Sequence, residues 1–211
     1  MMILVLLLLM GAGVSLLLAR GRNGVTARDD EALADARAEA QRWYERLGGQ
    51  LVNLRDDGSS ARQALVDATE RHQAAGAQLA RATTVTQFRL ARESAIEGLA
   101  YVRAARTALG LDPGPELPPL AAARGAGRVA EEQDLNGYRV APQAGPSTPY
   151  YYPGGYRNGR PMPAGWYSTP WWKTALAAGA GTLGGMMLFD TLLGHHHHGG
   201  PGGPGGPGGF F

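Results

Sequence analysis

The chain has 211 residues, a formal net charge of +2 and no cysteine, which excludes disulfides, thiolate nucleophiles and Cys-ligated zinc or iron–sulfur centres. Its 32 glycines and 14 prolines are concentrated after residue 110, so the part able to build a regular core is about 80 residues long, near the lower limit for a self-sufficient domain. Within 27–109, twelve arginines stand against twelve acids with the signs interspersed; this is unlike a phosphate-binding face, and no nucleic-acid partner is expected.

The first element is the run Met1–Ala19, which holds no charged side chain and only Ser15 as a polar one. As a helix it would be about 28 Å long, close to the roughly 30 Å hydrocarbon core of a bilayer. Arg20 and Arg22 follow at once, and no Lys or Arg precedes them. A cleaved secretory signal would need a basic leader and a small-residue cleavage site, so the run predicts an uncleaved N-terminal transmembrane helix. The positive-inside rule then places the following block in the cytoplasm, at the cell membrane, with the lipid bilayer as one partner.

Residues 26–110 read as helical. Thr26 or Asp29 can cap a first helix whose opening turn carries Asp29, Asp30 and Glu31 at the positive end of the dipole. Leu33, Ala40, Leu47 and Leu54 are spaced by sevens, the period of a helix packing along a neighbour, with Trp43 and Tyr44 on the same stripe as core aromatics. Gly48-Gly49 is the weak point, where a kink or an early end is expected. Asp56 to Ser60 makes a turn, and Ser60 with Gln63 has the form of a capping box. A shallow, Ala-rich stripe then runs through Leu65, Ala68, His72, Ala75 and Leu79, and a second one from Phe88 to Leu109.

Between them, Thr84 with Gln87 offers another capping box, so the chain either turns there or runs straight through. Two architectures fit: an antiparallel helical hairpin with an overshooting second helix, or a small three-helix bundle bent near 83–86. The overshoot would expose an apolar stripe and invite self-association or a protein partner.

No catalytic residue and no cofactor is expected. His72, with Asp67, Glu70 and Arg71 nearby in sequence, lacks a second His, Ser or Asp at a catalytic or metal-binding spacing, and reads as a packed helix residue.

Residues 111–170 begin with Asp112-Pro-Gly-Pro-Glu-Leu-Pro-Pro119 and continue rich in Pro, Gly, Tyr and Ser. This predicts a disordered linker with polyproline character and at most a short helical fragment over 127–135. Its Tyr and Arg residues suit either a plain tether or an adhesive stretch.

From Trp171-Trp172-Lys173, an aromatic and cationic interface signature, a Gly-rich apolar segment runs to residue 194. Gly181 and Gly185 would allow a second helix to approach closely, in a helix that either spans the bilayer or lies on it. The tail, 195–211, holds His195, His196, His197 and His198, which are weak metal candidates, and three Gly-Gly-Pro units; it reads as disordered.

Three features together resemble uncharacterised membrane-anchored proteins of high-GC Gram-positive bacteria. These are the apolar start followed by Arg, the helical stretch Ala38-Glu-Ala-Gln-Arg-Trp-Tyr-Glu-Arg-Leu47, and the Pro-Trp-Trp-Lys opening of a Gly-rich segment with a Gly/His tail. The resemblance implies a location and a layout and adds no catalytic residue. The expected chain is therefore all-α, membrane-tethered and non-enzymatic, a helical interaction or scaffold protein. The alternative is a small membrane oligomer or pore-like element assembled through 174–193.

Overall fold

The computed structural model describes residues 28–54 and 60–173. Three helices come first: α1 over 28–52, α2 over Ser60–Arg81 and α3 over Val85–Ala108. α1 runs straight through Gly48-Gly49. A Cβ on Gly48 would lie 3.0 Å from the His72 imidazole, so the glycine opens a notch for a side chain of α2. His72 uses that notch to stack on Tyr44, ring planes 4° apart and centroids 4.3 Å apart. Gly98 does the same on α3, where a Cβ would come within 2.4 Å of Leu47 Cδ2. Helices with small side chains bury little area per residue, and such notches recover contact by bringing the backbones together.

The break between α2 and α3 is set locally. Gln87 N–H donates to the Thr84 hydroxyl and Thr84 N–H donates to Gln87 Oε1, both at 3.2 Å, so two orphan donors of the α3 N-terminus are satisfied by each other's side chains. At the other end, Gly110 takes φ +71° and the Leu111 and Gly110 amides return to the Arg106 and Thr107 carbonyls. This is a Schellman stop, and the left-handed residue it requires is the glycine.

The expectation of an all-α chain with a disordered linker is wrong. Residues 111–170 fold: a 3-10 turn at Ala121–Ala123 is followed by β1 (Gln133–Leu135), β2 (Tyr138–Ala141), β3 (Tyr150–Tyr152), β4 (Gly155–Arg157), β5 (Arg160–Met162) and β6 (Gly165–Tyr167). Four strands form an antiparallel sheet in the order β1-β2-β6-β3, and β4-β5 is a separate hairpin inserted between β3 and β6. The helical fragment expected over 127–135 is instead extended: Val129 N–H donates to Ala164 O and Ala164 N–H to Gly127 O, and β1 follows.

Two identical dipeptides shape this half. Asn136-Gly137 joins β1 to β2 and Asn158-Gly159 joins β4 to β5, with φ of 51° and 82° in the first and 51° and 76° in the second. Two successive positive φ values make a type I′ turn, whose twist matches that of the strands it joins.

The sheet packs on the helices through aromatic rings. Tyr151 meets Tyr101 of α3 edge to face at 5.9 Å and its cross-strand partner Trp166 at 5.4 Å. Trp166 sits in a buried cluster with Ala61 and Ala64 of α2 and Ala104 and Ala105 of α3, while all three residues of β6 are buried. Gly165 lets the Val129 segment lie against the sheet, since a Cβ there would meet Val129 Cγ2 at 2.6 Å.

The expectation of a transmembrane helix finds no support among the described residues: no helix there is long and apolar enough to cross a membrane. α2 alone carries Arg62, Asp67, Glu70, Arg71 and Arg81. The two segments where spans were expected, 1–19 and 174–193, lie outside the described residues. Nor do the helices form a free-standing coiled coil, because the sheet covers part of α2 and α3. A second unit begins at Trp171, where 171–173 form a helical turn and the rings of Trp171 and Trp172 meet edge to face at 5.5 Å.

Candidate functional site

A cleft of about 510 Å³ opens between α3, the segment 113–120 and the sheet. That volume is within the range of small-molecule sites. Its floor is one face of α3, with Ile96, Ala100 and Ala104 in steps of four residues and Arg103 and Thr107 beside them. One wall is aromatic, Tyr151 and Trp166, and the opposite wall is the strap, with Leu117, Pro118, Pro119 and Leu120.

The strap is fastened along its length. Arg106 Nε donates to Asp112 O at 2.5 Å, and Arg103 Nη1 donates to Gly114 O at 2.6 Å and also to Pro115 O. At the far end, Ala121 N–H donates to Glu93 Oε2 at 3.0 Å. Glu93 is held in turn by Arg92, which also pairs with Glu39 of α1 at 2.7 Å. A strap rich in proline and tied at both ends has little conformational entropy left to lose when something enters the cleft.

The cleft is electropositive at one place. Arg103 and Arg128 line it beside the Tyr151 phenol, whose pKa burial pushes up while both guanidinium groups pull it down. Glu116, on the strap, is the acid among the lining side chains.

A second polar group lies inside the bundle. Asp67 and Arg71 of α2 are buried, and Arg71 Nη1 stands 3.6 Å from Glu97 Oε2 of α3. Gln63 Nε2 reaches Asp67 Oδ1 at 3.5 Å, and Tyr101 lies close enough for both acids to act on its phenol. Burial pushes the Glu97 carboxyl up; Arg71 opposes this, and Asp67 and Glu93 add to it. Tyr101 is held well above its ordinary value, first by burial and then by the two acids. Tyr152 of β3 is raised by burial and by Glu97, so the network touches the sheet as well as two helices. Two acids around one arginine, roofed by phenols, specify how the elements dock.

The expected packing residues fall in the helical core. Leu47 is fully buried with Leu99, Tyr101 and Val102, and Leu54 packs at the edge of that cluster. Leu33 packs beside Ala40, Phe88 and Ala91. Trp43 flanks the Leu47 cluster, with Arg46 and Arg92 over its ring at 5.1 and 5.9 Å. Among the large apolar side chains, Val52, Val66, Leu111 and Tyr156 are exposed, and they are scattered.

Trp171, Trp172 and Lys173 open the second unit, whereas Arg20, Arg22, Gly181, Gly185 and His195 to His198 lie outside the described residues. Among the described residues no cluster of His, Asp and Glu has the form of a metal site. Sequence reasoning missed the cleft because it took one of its walls as unstructured. The signal that would have found it is Asn-Gly twice, each flanked by strand-forming residues, together with Tyr150-Tyr151-Tyr152.

No family model matches the chain, and neither the curated proteins nor the solved structures contain a detectable relative.

Proposed function

We propose that the chain is a non-catalytic binding module, in which a three-helix bundle and a docked sheet present the strap-walled cleft to a partner at a membrane. The observation that carries this reading is the cleft itself: a preformed hollow of mixed apolar and polar lining, with Arg103, Arg128 and Glu116 on its walls, held open by hydrogen bonds that Arg103 and Arg106 donate and Glu93 accepts. Membrane attachment, with the bundle on the cytoplasmic side, rests on the composition of residues 1–19 and the Arg20 and Arg22 that follow.

A photo-crosslinking residue at Leu117, in the cleft wall, tests the binding half in cells expressing the full chain, with the same residue at exposed Val66 as the control. The reading predicts a discrete adduct from position 117 in the membrane fraction and none from position 66. Equal labelling from both positions, or none from 117, would remove it.

A further inference from the structure

Resting on the reading of the cleft as a binding site, we propose that its ligand is an aromatic acid: a flat apolar group that enters against Trp166 and a carboxylate that is held between Arg103 and Arg128. The shape calls for the flat group. Ala100 and Ala104 on the floor, the Tyr151 and Trp166 rings and the strap prolines make up the apolar half of the lining, against which a ring can lie, while Arg103, Arg128, Thr107 and Glu116 make the other half polar.

The charge calls for the acid. Arg103 gives its Nη1 to the strap, and its Nε and Nη2 make no protein hydrogen bond among the described residues; neither does the Arg128 guanidinium. Arg128 also belongs to the extended segment that pairs with Ala164 through the Gly127 carbonyl and the Val129 amide. Its guanidinium is therefore carried on a fixed backbone. Two guanidinium groups with open donors outweigh the one acid of the lining, Glu116, and give a carboxylate an ion pair as well as charge-assisted hydrogen bonds, whereas a neutral amide gains the hydrogen bonds alone.

The same chemistry is offered by a small free acid and by the last residue of a peptide chain ending in an aromatic residue. N-acetyl-L-phenylalanine, its amide and the peptide Ala-Gly-Phe are the probes, titrated into the full chain in nanodiscs. Binding is read by NMR at the Trp166 indole N–H and the Val129 amide.

The acid should bind at least about tenfold more tightly than the amide. Arg128→Gln should bring that ratio close to one by weakening the acid more than the amide, and Thr107→Trp, at the mouth of the cleft, should weaken both probes. Tighter binding of the peptide than of the free acid would name chain ends as the source, and the reverse would name small acids. Equal affinity for acid and amide in the unsubstituted chain, or a ratio that Arg128→Gln leaves intact, overturns the proposal. Failure of every probe to shift either signal also overturns the proposal, while the adduct from position 117 decides the binding-module reading beneath it independently.

Discussion

The helical half and the sheet half of this molecule are held together by different means. The helices, 28–109, approach closely because Gly48, Gly76 and Gly98 face His72, Tyr44 and Leu47 in that order, at distances where a Cβ would be crowded and, at Gly98, would force a shift. The register of α2 on α3 is pinned by Arg71 and Glu97, with Asp67 beside them. The sheet, 127–167, has strands of only three or four residues, too short to persist alone, and depends on two I′ turns and on aromatic packing against α3. The first half is specified by an internal fit, the second by turns plus a surface to dock on. Damage to the helices should therefore unfold everything, whereas damage to the sheet should first loosen the cleft.

The largest effect is expected from Arg71→Met. It leaves Glu97 buried without its cation, and should lower stability by about 4 kcal/mol at neutral pH in urea unfolding followed by circular dichroism. The loss should be smaller in acid, where the Glu97 carboxyl protonates.

Glu97 gives the sign directly. Its folded pKa is raised above the ordinary 4.5, so the native state binds that proton more tightly than the unfolded chain. The stability this contributes is fully present below that value and is lost as pH rises through the folded pKa. The stability of the unsubstituted chain relative to Glu97→Gln should thus fall with rising pH, at up to about 1.4 kcal/mol per unit, and then level off. A difference that rises with pH would contradict the burial account.

A paired comparison separates the halves more sharply. Gly98→Val drives a side chain into Leu47, and Gly165→Val drives one into Val129, each at a cost of about 2 kcal/mol. The first should lower the helical and the aromatic circular dichroism transitions together. The second should shift the aromatic signal while the helical signal keeps most of its midpoint. Parallel loss in both variants would mean that the sheet is no more separable than a helix.

The smallest effect is expected at the β4-β5 turn. Gly159 has φ +76° with open space around its Cα, so Gly159→Ala should cost about 1 kcal/mol through backbone conformation alone. The test is a small drop in midpoint with unchanged helical signal.

These differences also explain what could be read in advance. The Leu33–Ala40–Leu47–Leu54 period, the Thr84–Gln87 box and the Gly110 stop are local or periodic signals, and each corresponds to a feature of the bundle. Gly48 was legible as an unusual residue but not in its role, because the His72 ring it accommodates is 24 positions away.

The sheet was missed because prolines and glycines were weighed as breakers over a long window. Within it, Asn136-Gly137 and Asn158-Gly159 each specify a hairpin, and the prolines stand in the strap, between strands or, at Pro161, in the short β5. The cleft was illegible for a further reason: Arg103 and Arg128 come together only through the docking of Tyr151 on α3.

Native-state hydrogen exchange on the full chain tests most directly whether residues 127–167 are folded onto the helices. The Val129, Ala164 and Ser168 amides, each bonded to a carbonyl distant in sequence, should exchange at rates slowed by several orders of magnitude, though less than Leu99 and Val102 in the middle of α3. Exchange of those three amides at the rate of an unstructured peptide, beside a protected α3, would show the sheet half to be unfolded and would leave the cleft without its wall.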